Sequence, residues 1–372
     1  MMVLAPTRLF DGETIRSGAA VVVEDGRITG VLDSAPPGAL TLDGLLSPGL
    51  IDIQVNGGGG VLFNDAPTLA ALRTIAAAHQ RFGVTGLMAT LISDSREKTA
   101  AALDAVSAAF EAGMQGIVGL HLEGPWLSGP RRGVHPAANL RPLDDIDLVM
   151  LTARRGFPLM VTVAPEMVSP EHIRTLADEG VRVSLGHTAA STEQTLRALE
   201  AGATCFTHLF NAMPPMESRN PGPLGVALAH SGAYTGLILD GIHVHPLSAR
   251  AAFLAKTARR MILVSDAMAT VGATSPDMSL FGEPVSLSQG ALRTPSGTLA
   301  GAHLDMTTAV RHALGMIGAS ETDALRMATL TPAEFLGAND RGRIAPGARA
   351  DFVLLDSGLV PQGVWIAGER QT

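Results

Sequence analysis

The amino-acid sequence predicts an α/β protein: a (β/α)8 TIM-type barrel with a small β-sandwich domain formed by both chain termini. Two observations predict this fold. From Leu46 onward, short apolar runs alternate with alanine-rich stretches of helical period, which is typical of repeated βα units. Both ends of the chain instead carry short β-like runs and turns. We therefore expect the β domain to comprise residues 1–46 and 338–372, and the barrel to comprise residues 47–337.

The N-terminal segment begins the β domain. Two apolar runs, 19–24 and 27–32, flank Asp25-Gly26, and Asp-Gly between such runs is a strong hairpin signal. The segment has too little apolar material to form a core alone, so it is expected to pair with strands from elsewhere in the chain.

The barrel is predicted from alternating strands and helices. The strands are expected at 47–55, 84–91, 116–122, 158–164, 181–186, 203–208, 234–240 and 260–265. The helices are expected at 67–82, 95–112, 144–155, 169–179, 191–201, 222–230, 246–258 and 304–317. A doubly wound open sheet is the alternative, but the glycines at 57–60 do not form the G-x-G-x-x-G pattern that opens a helix in that fold.

The segments after the last barrel strand differ from the repeating units. A β-like excursion is predicted at 275–300, with a hairpin signal at Gln289-Gly290. A further helix is expected at 321–336, and the tail at 342–356 returns to short strands and turns. These last strands supply the partners that the N-terminal segment lacks.

Composition limits the possible functions. The net charge of −8 argues against a nucleic-acid partner, because phosphate neutralisation needs clustered cations. The single cysteine, Cys205, excludes an intrachain disulfide and a thiolate zinc cluster. The first residues lack the pattern of a signal peptide, and no apolar run approaches the roughly 20 residues that span a bilayer. We expect a cytoplasmic protein with no membrane partner.

Three predicted strands end in residues that bind metals. Glu123 follows the apolar run 117–122, and His187 and His208 end two later strands. Because the carboxyl ends of barrel strands meet at one rim, these side chains are expected to lie together. One carboxylate and two imidazoles suit Zn²⁺ or Fe²⁺ and leave a coordination position open. A single strand-end histidine is more often a hydrogen-bonded core residue, but three such residues in phase favour a metal.

A fourth strand-end residue, Asp266, is the candidate general base and acid. It follows the last predicted barrel strand, where its carboxylate is expected to reach the hydrolytic water and later return a proton to the leaving group. The alternative role for Asp266 is that of a helix N-cap or a hairpin acceptor.

Several short motifs are distinctive. They are His121-Leu-Glu-Gly-Pro-Trp126, Gly186-His-Thr188, Thr207-His-Leu-Phe-Asn-Ala-Met213, Asp240-Gly-Ile-His243 and Ser265-Asp-Ala267. Together they resemble the N-acetylglucosamine-6-phosphate deacetylases of the amidohydrolase superfamily. The resemblance extends from Gly49-Leu-Ile-Asp-Ile-Gln-Val-Asn-Gly57 to the C-terminal β tail. The Glu-Gly-Pro and Thr-His-Leu-Phe-Asn-Ala-Met motifs carry it, because the superfamily at large lacks them.

The resemblance implies an enzyme that hydrolyses the acetamide of N-acetylglucosamine-6-phosphate, with the metal ligands and base named above. It also implies substrate contacts by His135 near the carbonyl, Asn211 and Ala212 near the phosphate, His243 and Arg219 at phosphate and sugar, and Met306 in the acetyl pocket. A homodimer is implied too, in which Arg219 reaches the neighbouring active site. Arg219 alone would be interpreted as a solvated loop charge, and His245 is the alternative to His243.

Gln54 and Asn56 determine the predicted number of metals. They stand where many amidohydrolases carry His-x-His and hold two ions. Neutral amides are poorer ligands than imidazole for borderline metals. Neither Lys98 nor Lys256 ends a predicted strand, so no bridging carbamylated lysine is expected. The sequence therefore predicts one divalent ion, Zn²⁺ in preference to Fe²⁺, with Gln54 as a hydrogen-bonding group in the substrate site.

Two alternatives to this function stay open. Within the superfamily, the substrate could be the galacto epimer, N-acetylgalactosamine-6-phosphate, or a cyclic amide or ureide. The implied phosphate contacts argue against the ureide but do not separate the epimers. Outside catalysis, the chain could be a silent amidohydrolase-like scaffold, although all four proposed metal and acid–base residues are present.

Overall fold

A computed structural model describes residues 1–153 and 155–371. The strands in chain order are β1 (Met2–Phe10), β2 (Ile15–Ser17), β3 (Ala20–Glu24), β4 (Arg27–Leu32), β5 (Leu40–Pro48), β6 (Leu50–Val55), β7 (Gly57–Gly58), β8 (Val61–Leu62), β9 (Val84–Ile92), β10 (Gly116–Glu123), β11 (Leu159–Val163), β12 (Arg182–Leu185), β13 (Cys205–Phe206), β14 (Tyr234–Ile238), β15 (Met261–Val264), β16 (Met278–Leu280), β17 (Glu283–Ser288), β18 (Ala291–Arg293), β19 (Leu299–Ala302), β20 (Phe352–Leu355), β21 (Pro361–Ile366) and β22 (Glu369–Arg370).

The helices follow the barrel strands. In chain order they are α1 (Leu69–Gln80), α2 (Arg96–Glu111), α3 (Asp145–Thr152), α4 (Pro170–Asp178), α5 (Thr192–Glu200), α6 (Gly222–Ala229), α7 (Pro246–Lys256), α8 (Met306–Ile317), α9 (Glu321–Ala328) and α10 (Leu330–Leu336). Several begin at a side-chain cap: Ser95, Ser169 and Ser191 each accept a backbone N–H of the first turn of α2, α4 and α5. The predicted helix at 321–336 is instead two helices, because Thr329 leaves helical backbone geometry at φ −131° and ψ −82°.

Eight parallel strands form the barrel, in the order β15-β14-β13-β12-β11-β10-β9-β6. The two ends of this sheet meet beyond β15, where Ala267 pairs in parallel with Val55 and the Asp266 N–H donates to the Gln54 carbonyl oxygen at 3.0 Å. All eight residues of β10 are buried, as expected of a strand covered on both faces. The predicted TIM-type barrel is confirmed, and it brings the carboxyl ends of β6, β10, β12, β13 and β15 to one rim.

Both chain termini build one further sheet, in the order β22-β21-β20-β5-β1-β3-β4, with β2 on β1. The predicted N-terminal hairpin is confirmed, because β3 and β4 pair antiparallel across Asp25-Gly26. The C-terminal strands join through β20, which pairs antiparallel with β5. Val21 and Ile28 from one half of the sheet share a core with Phe352 and Trp365 from the other, so the two halves face each other as a small sandwich.

The excursion between β15 and α8 is a four-stranded sheet, β16-β17-β18-β19. Its apolar residues Val285 and Leu292 form a small core with Ile92 and Met268 of the barrel rim. The excursion is therefore packed as a wall beside the carboxyl ends of the barrel strands. Among the described residues, no helix is both long and apolar enough to cross a membrane.

Candidate active site

A cavity of about 210 Å³ opens at the carboxyl ends of the barrel strands. It is lined by most of the residues predicted from the sequence, namely Glu123, His135, His187, His208, Asn211, Ala212, His243 and Asp266. Gln54 lies behind its wall, hydrogen-bonded to Glu123 and Asp266. Residues distant in the sequence thus converge because each follows a barrel strand.

Three of these side chains form a compact triangle of potential ligand atoms. Glu123 Oε1 lies 2.9 Å from His208 Nε2 and 3.3 Å from His187 Nε2. The two histidine Nε2 atoms are 3.0 Å apart. Ligand atoms about 2.0–2.1 Å from a tetrahedral zinc ion stand about 3.3 Å from one another. The spacing and chemistry of this triangle therefore fit a single divalent metal ion.

The hydrogen bonds around the triangle support its use as a ligand set. His187 Nδ1 donates to the Arg131 carbonyl oxygen at 2.9 Å, which leaves the lone pair on Nε2, the atom that faces Glu123. Burial favours the neutral form of Glu123, but its interactions with the His187 and His208 rings outweigh it and hold its pKa well below the usual range. Burial likewise works against protonated His208, yet Glu123 raises the pKa of that imidazole. The site thus concentrates one negative charge that a cation would neutralise.

His135 also lies close enough to be considered as a ligand. Glu123, His135 and His187 each offer a ligand atom, and these atoms lie within 4.8 Å of one another. His135 Nδ1, however, accepts from the Ser93 backbone N–H at 3.3 Å and lies 2.7 Å from Ser93 Oγ. Burial, together with the nearby His187, keeps the pKa of His135 well below its usual range. The neutral ring therefore carries its proton on Nε2, which makes His135 a hydrogen-bond donor and favours His208 as the third ligand.

Asp266 is held by two side-chain amides from the first barrel strand and the residue after it. Gln54 Nε2 donates to Asp266 Oδ1 at 3.2 Å, and Asn56 Nδ2 donates to the same oxygen at 2.7 Å. This arrangement leaves Oδ2 for proton transfer. Burial, with a contribution from the charge of Glu123, raises the pKa of Asp266 to about 6. A carboxylate of that basicity is suited to take and return a proton near neutral pH.

The cavity lining includes a further histidine, His243, that is held by a carboxylate. His243 Nδ1 lies 2.6 Å from Asp240 Oδ2, and Asp240 Oδ1 accepts the backbone N–H groups of Ile242 and His243. Burial raises the pKa of Asp240, but the His243 hydrogen bond more than offsets this, so the carboxylate stays ionised. His245 is exposed and accepts the Leu247 N–H at the start of α7. Of the two histidines, His243 is the one that lines the cavity.

Several residues at the site adopt left-handed backbone geometry. The φ angles are +48° at His187, +28° at His208, +53° at Ala212 and +50° at Asp266. Non-glycine residues rarely occupy this region, and such strain concentrates at functional sites. The sharp turns direct these side chains or backbone groups into the cavity immediately after each strand.

Two predicted residues lie away from this cavity. Met306 is fully buried in the first turn of α8, and Arg219 is exposed in the loop before α6. Neither is among the cavity-lining residues of the described chain. Conversely, sequence reasoning did not assign Asn56 to the site, although it lies two residues beyond Gln54, the spacing that returns a strand side chain to the same face. It also missed the wall formed by Thr298, Leu299 and Gly301.

The fold and site together define a class of protein: a barrel hydrolase with a candidate metal site and a neighbouring carboxylate at the carboxyl ends of its strands. Residues 45–370 match the model of the amidohydrolase family, and this chain belongs to that family.

Relatives within the family are similar over nearly their whole length. The chain is 42% identical over 377 residues to N-acetylgalactosamine-6-phosphate deacetylase of Shewanella sp. (strain ANA-3), covering 99% of this chain and 95% of that protein. It is 36% identical over 362 residues to N-acetylglucosamine-6-phosphate deacetylase of Bacillus subtilis (strain 168), covering 93% and 91%. The structure also matches an aspartate-to-alanine variant of N-acetyl-D-glucosamine-6-phosphate deacetylase from Mycobacterium smegmatis in complex with N-acetyl-D-glucosamine-6-phosphate, with a TM-score of 0.93, 34% identity, and coverage of 99% of this chain and 98% of that chain.

Proposed function

We propose that this protein hydrolyses the acetamide of N-acetylglucosamine-6-phosphate to glucosamine-6-phosphate and acetate, in amino-sugar catabolism or recycling. The observation that carries the proposal is the Glu123–His187–His208 triangle with the Asp266 carboxylate beside it, in a family member similar to such deacetylases. Both components that amide hydrolysis needs, a cation site and a proton-transferring group, line one cavity.

Glu123, His187 and His208 would hold one divalent ion, Zn²⁺ in preference to Fe²⁺. When bound, such an ion acts as a Lewis acid and lowers the pKa of water. The three residues supply one negative charge, so the occupied site would keep a net positive charge. Gln54, which hydrogen-bonds both Glu123 and Asp266, fixes the ligand carboxylate relative to the base.

The chain's own groups move the protons. Asp266 Oδ2 takes a proton from the water that adds to the acetyl carbonyl carbon. The neutral His135 donates Nε2–H to the carbonyl oxygen as negative charge develops there. Asp266 then gives its proton to the amide nitrogen as the C–N bond breaks, and the products are acetate and the free amine. Met306 is proposed to contribute to the acetyl pocket, after the side chains around α8 adjust to substrate.

The phosphate would lie at the opposite end of the cavity, near Asn211, the Ala212 backbone N–H and His243. Its binding orients the acetamide toward Asp266, so energy from the non-reacting end contributes to rate. We propose that Arg219 completes this end from the neighbouring subunit of a homodimer. Its exposure in the loop before α6 is compatible with that role. Light scattering tests the dimer; a monomer in solution would remove this part of the proposal. We also propose a cytoplasmic location, where phosphorylated sugars are retained by their charge.

An acetate-release assay on N-acetylglucosamine-6-phosphate, with metal analysis of the same sample, tests the function. We expect acetate and free amine in equal amounts, and about one metal ion per chain. A metal-loaded protein that releases no acetate from this substrate or its epimer would overturn the proposal. A silent scaffold is expected to bind no metal, so the same sample also tests that alternative.

N-acetylgalactosamine-6-phosphate is a second candidate substrate, favoured by the 42% identity to the Shewanella deacetylase for that epimer. The two sugars differ in the orientation of one hydroxyl group. Measuring kcat/KM for both under the same conditions assigns the preference. A ratio above about tenfold, equivalent to about 1.4 kcal/mol of discrimination, would indicate a dedicated contact to that hydroxyl.

A further inference from the structure

A second cavity, here called the basal cavity, lies at the opposite end of the barrel from the candidate active site. Its volume is about 650 Å³, and its lining includes Ser231, Tyr234, Lys256, Arg259, Arg260, Arg326 and Glu334. Tyr234 is the first residue of β14, and the segment 257–260 leads into β15, so the basal cavity adjoins the amino ends of these strands. Its lining contains four cationic side chains and one carboxylate, on a chain whose net charge is −8.

Two of the cations are almost completely buried yet retain donor capacity. Lys256 is 3% exposed, and its Nζ donates to the carbonyl oxygens of Ala227 and His230 at 2.9 and 2.5 Å. An ammonium group has three donors, so these two bonds leave one. Arg326 is 5% exposed; its terminal nitrogens donate to Glu13 and Glu334, but its Nε has no partner among the described residues. Buried donors without acceptors are uncommon in folded proteins and indicate a missing partner.

The other two cations that line the cavity, Arg259 and Arg260, are more accessible to solvent. The Arg260 guanidinium lies 4.6 Å from the centre of the Tyr234 ring, and its Nε donates to the Ser231 carbonyl oxygen at 3.3 Å. These contacts fix Arg260 before any ligand arrives, which reduces the entropy lost on binding. The Arg259 side chain is 70% exposed and approaches Glu13 only to 4.0 Å. Its charge is therefore available to a ligand.

We propose that the basal cavity binds a small phosphate-bearing anion, at a site separate from the candidate active site. A phosphate group accepts several charge-assisted hydrogen bonds at once, which matches the spare donors of Lys256 and Arg326 and the accessible guanidinium groups of Arg259 and Arg260. A cavity of about 650 Å³ has room for a sugar attached to that phosphate. The Tyr234 ring and the Ser231 hydroxyl offer further contacts to such a group.

Calorimetric titration of the full chain with inorganic phosphate tests this proposal. Because the active site is also proposed to bind phosphate, the titration uses a His243→Ala background, in which that contribution is weakened. We expect one phosphate site to remain. Adding Arg259→Ala and Arg260→Ala should weaken it about tenfold through loss of charge-assisted hydrogen bonds.

The matched control removes two exposed arginines outside the cavity, Arg73 and Arg174, from the same background. This control should stay within about twofold of the background, since distant surface charges are screened by salt. Melting temperatures confirm that every variant is folded. The proposal would be overturned if the Arg259/Arg260 variant and the Arg73/Arg174 control bound phosphate equally well. It would also be overturned if the His243→Ala background bound no phosphate. Because the readout is phosphate binding and not acetate release, failure of this proposal is distinguishable from failure of the proposed deacetylase activity.

Discussion

At the residue scale, the chemistry of the candidate site depends on which atom of each side chain is left free. Two amides occupy Asp266 Oδ1 and leave Oδ2, while the Arg131 carbonyl fixes the His187 proton on Nδ1 and leaves Nε2. The Ser93 N–H does the reverse for His135 and leaves its Nε2–H as a donor. Similar imidazoles thus acquire different roles from neighbouring backbone groups, none of which belongs to a recognisable sequence motif.

Asp266→Asn separates the proposed base from the metal site. An amide cannot take the proton from water, so acetate release should fall by at least about 100-fold. Metal content should be unchanged, because the Glu123–His187–His208 triangle is intact. The measurement is kcat/KM together with metal analysis of the same preparation. Substantial residual turnover would remove Asp266 from its assigned role.

Glu123→Gln addresses the metal site directly. The neutral amide is a poorer ligand and removes the only carboxylate of the triangle, so metal affinity should fall at least about tenfold, and activity with it. Metal content after dialysis against a weak chelator, compared with that of Asp266→Asn, provides the check. An undiminished metal content would mean that Glu123 is not a ligand.

Asp52 provides a pH test that does not depend on catalysis. Burial raises the pKa of Asp52 to about 7, against hydrogen bonds from Ser265 and Gln54 that lower it. The folded protein therefore keeps this proton up to about pH 7, while the unfolded chain loses it near 3.8. Retaining this proton therefore contributes to the free energy of unfolding, and the contribution is fully present below about pH 4. It is lost as pH rises to about 7, at about 1.4 kcal/mol per pH unit.

Asp52→Asn should remove this contribution to the slope of unfolding free energy against pH. Urea unfolding of metal-free protein at pH 5, 6 and 7 measures it. The control Asp65→Asn changes an exposed carboxylate and should keep the wild-type slope. If Asp52→Asn and Asp65→Asn give parallel curves, Asp52 does not hold the proton.

Residue positions were predictable from the sequence to the extent that they follow strand ends. Glu123, His187, His208 and Asp266 were expected at one rim from the strand pattern, since each stands at the end of a strand-like run. Asn56 was named only as standing in place of a metal-binding histidine, and its hydrogen bond to Asp266, which is 210 positions away in the sequence, was not predicted. The expected positions of Met306 and Arg219 depend on substrate or on a second subunit, and the structure of one chain leaves both as proposals.

At the element scale, one buried carboxylate secures the loop that follows β10. The side chain of Asp147 on α3 has 0% exposure. It accepts hydrogen bonds from Arg96 Nε at 2.9 Å and Arg141 Nη2 at 3.0 Å. It also accepts the Trp126 indole N–H at 2.9 Å. Trp126 lies three residues after Glu123, so this cluster fixes the chain as it leaves the candidate metal site.

Asp147→Ala should destabilise the protein by about 1–3 kcal/mol, because it removes the acceptor shared by the Arg96 and Arg141 guanidinium groups and leaves the buried Trp126 indole N–H without its partner. The matched control is Asp145→Ala on the same helix, where the side chain is 98% exposed and the expected change is within about 0.5 kcal/mol. Denaturant unfolding compares the two variants. Similar stabilities would show that the cluster contributes little.

The sequence predicted which helices and strands exist better than it predicted where each of them begins and ends. The barrel helices are present where the helical period predicted them. The break at Thr329 was not predicted, although Pro332 signals it: a proline interrupts a continuous helix but is tolerated in the first turn of a new one, which is its place in α10. The packing of the excursion against Ile92 and Met268 was also not evident, since its apolar residues are spaced like those of any small sheet.

At the scale of the whole molecule, β20 contributes to two cores. Phe352 and Leu354 belong to the core of the terminal sheet, while Val353 and Leu355 belong to the core that contains the barrel strands. This division follows from strand geometry, in which alternate side chains point to opposite faces. The sequence predicted that the two chain ends would pair with each other. The attachment of their sheet to the barrel through the second face of β20 required the structure.

This shared strand predicts that barrel and terminal sheet unfold together. Phe352→Ala should cost about 3–5 kcal/mol and Val353→Ala about 2 kcal/mol, and both should lower the midpoint of one common transition. Val360→Ala is the matched control, because Val360 is 45% exposed in the loop before β21 and its truncation should cost less than about 0.5 kcal/mol. Calorimetry of the metal-free protein measures all three variants. Two separate transitions, with Phe352→Ala moving only one of them, would show that the sheet is an independent unit. A single transition moved by both variants means that damage in β20 reaches the barrel strands that lead to Glu123 and Asp266.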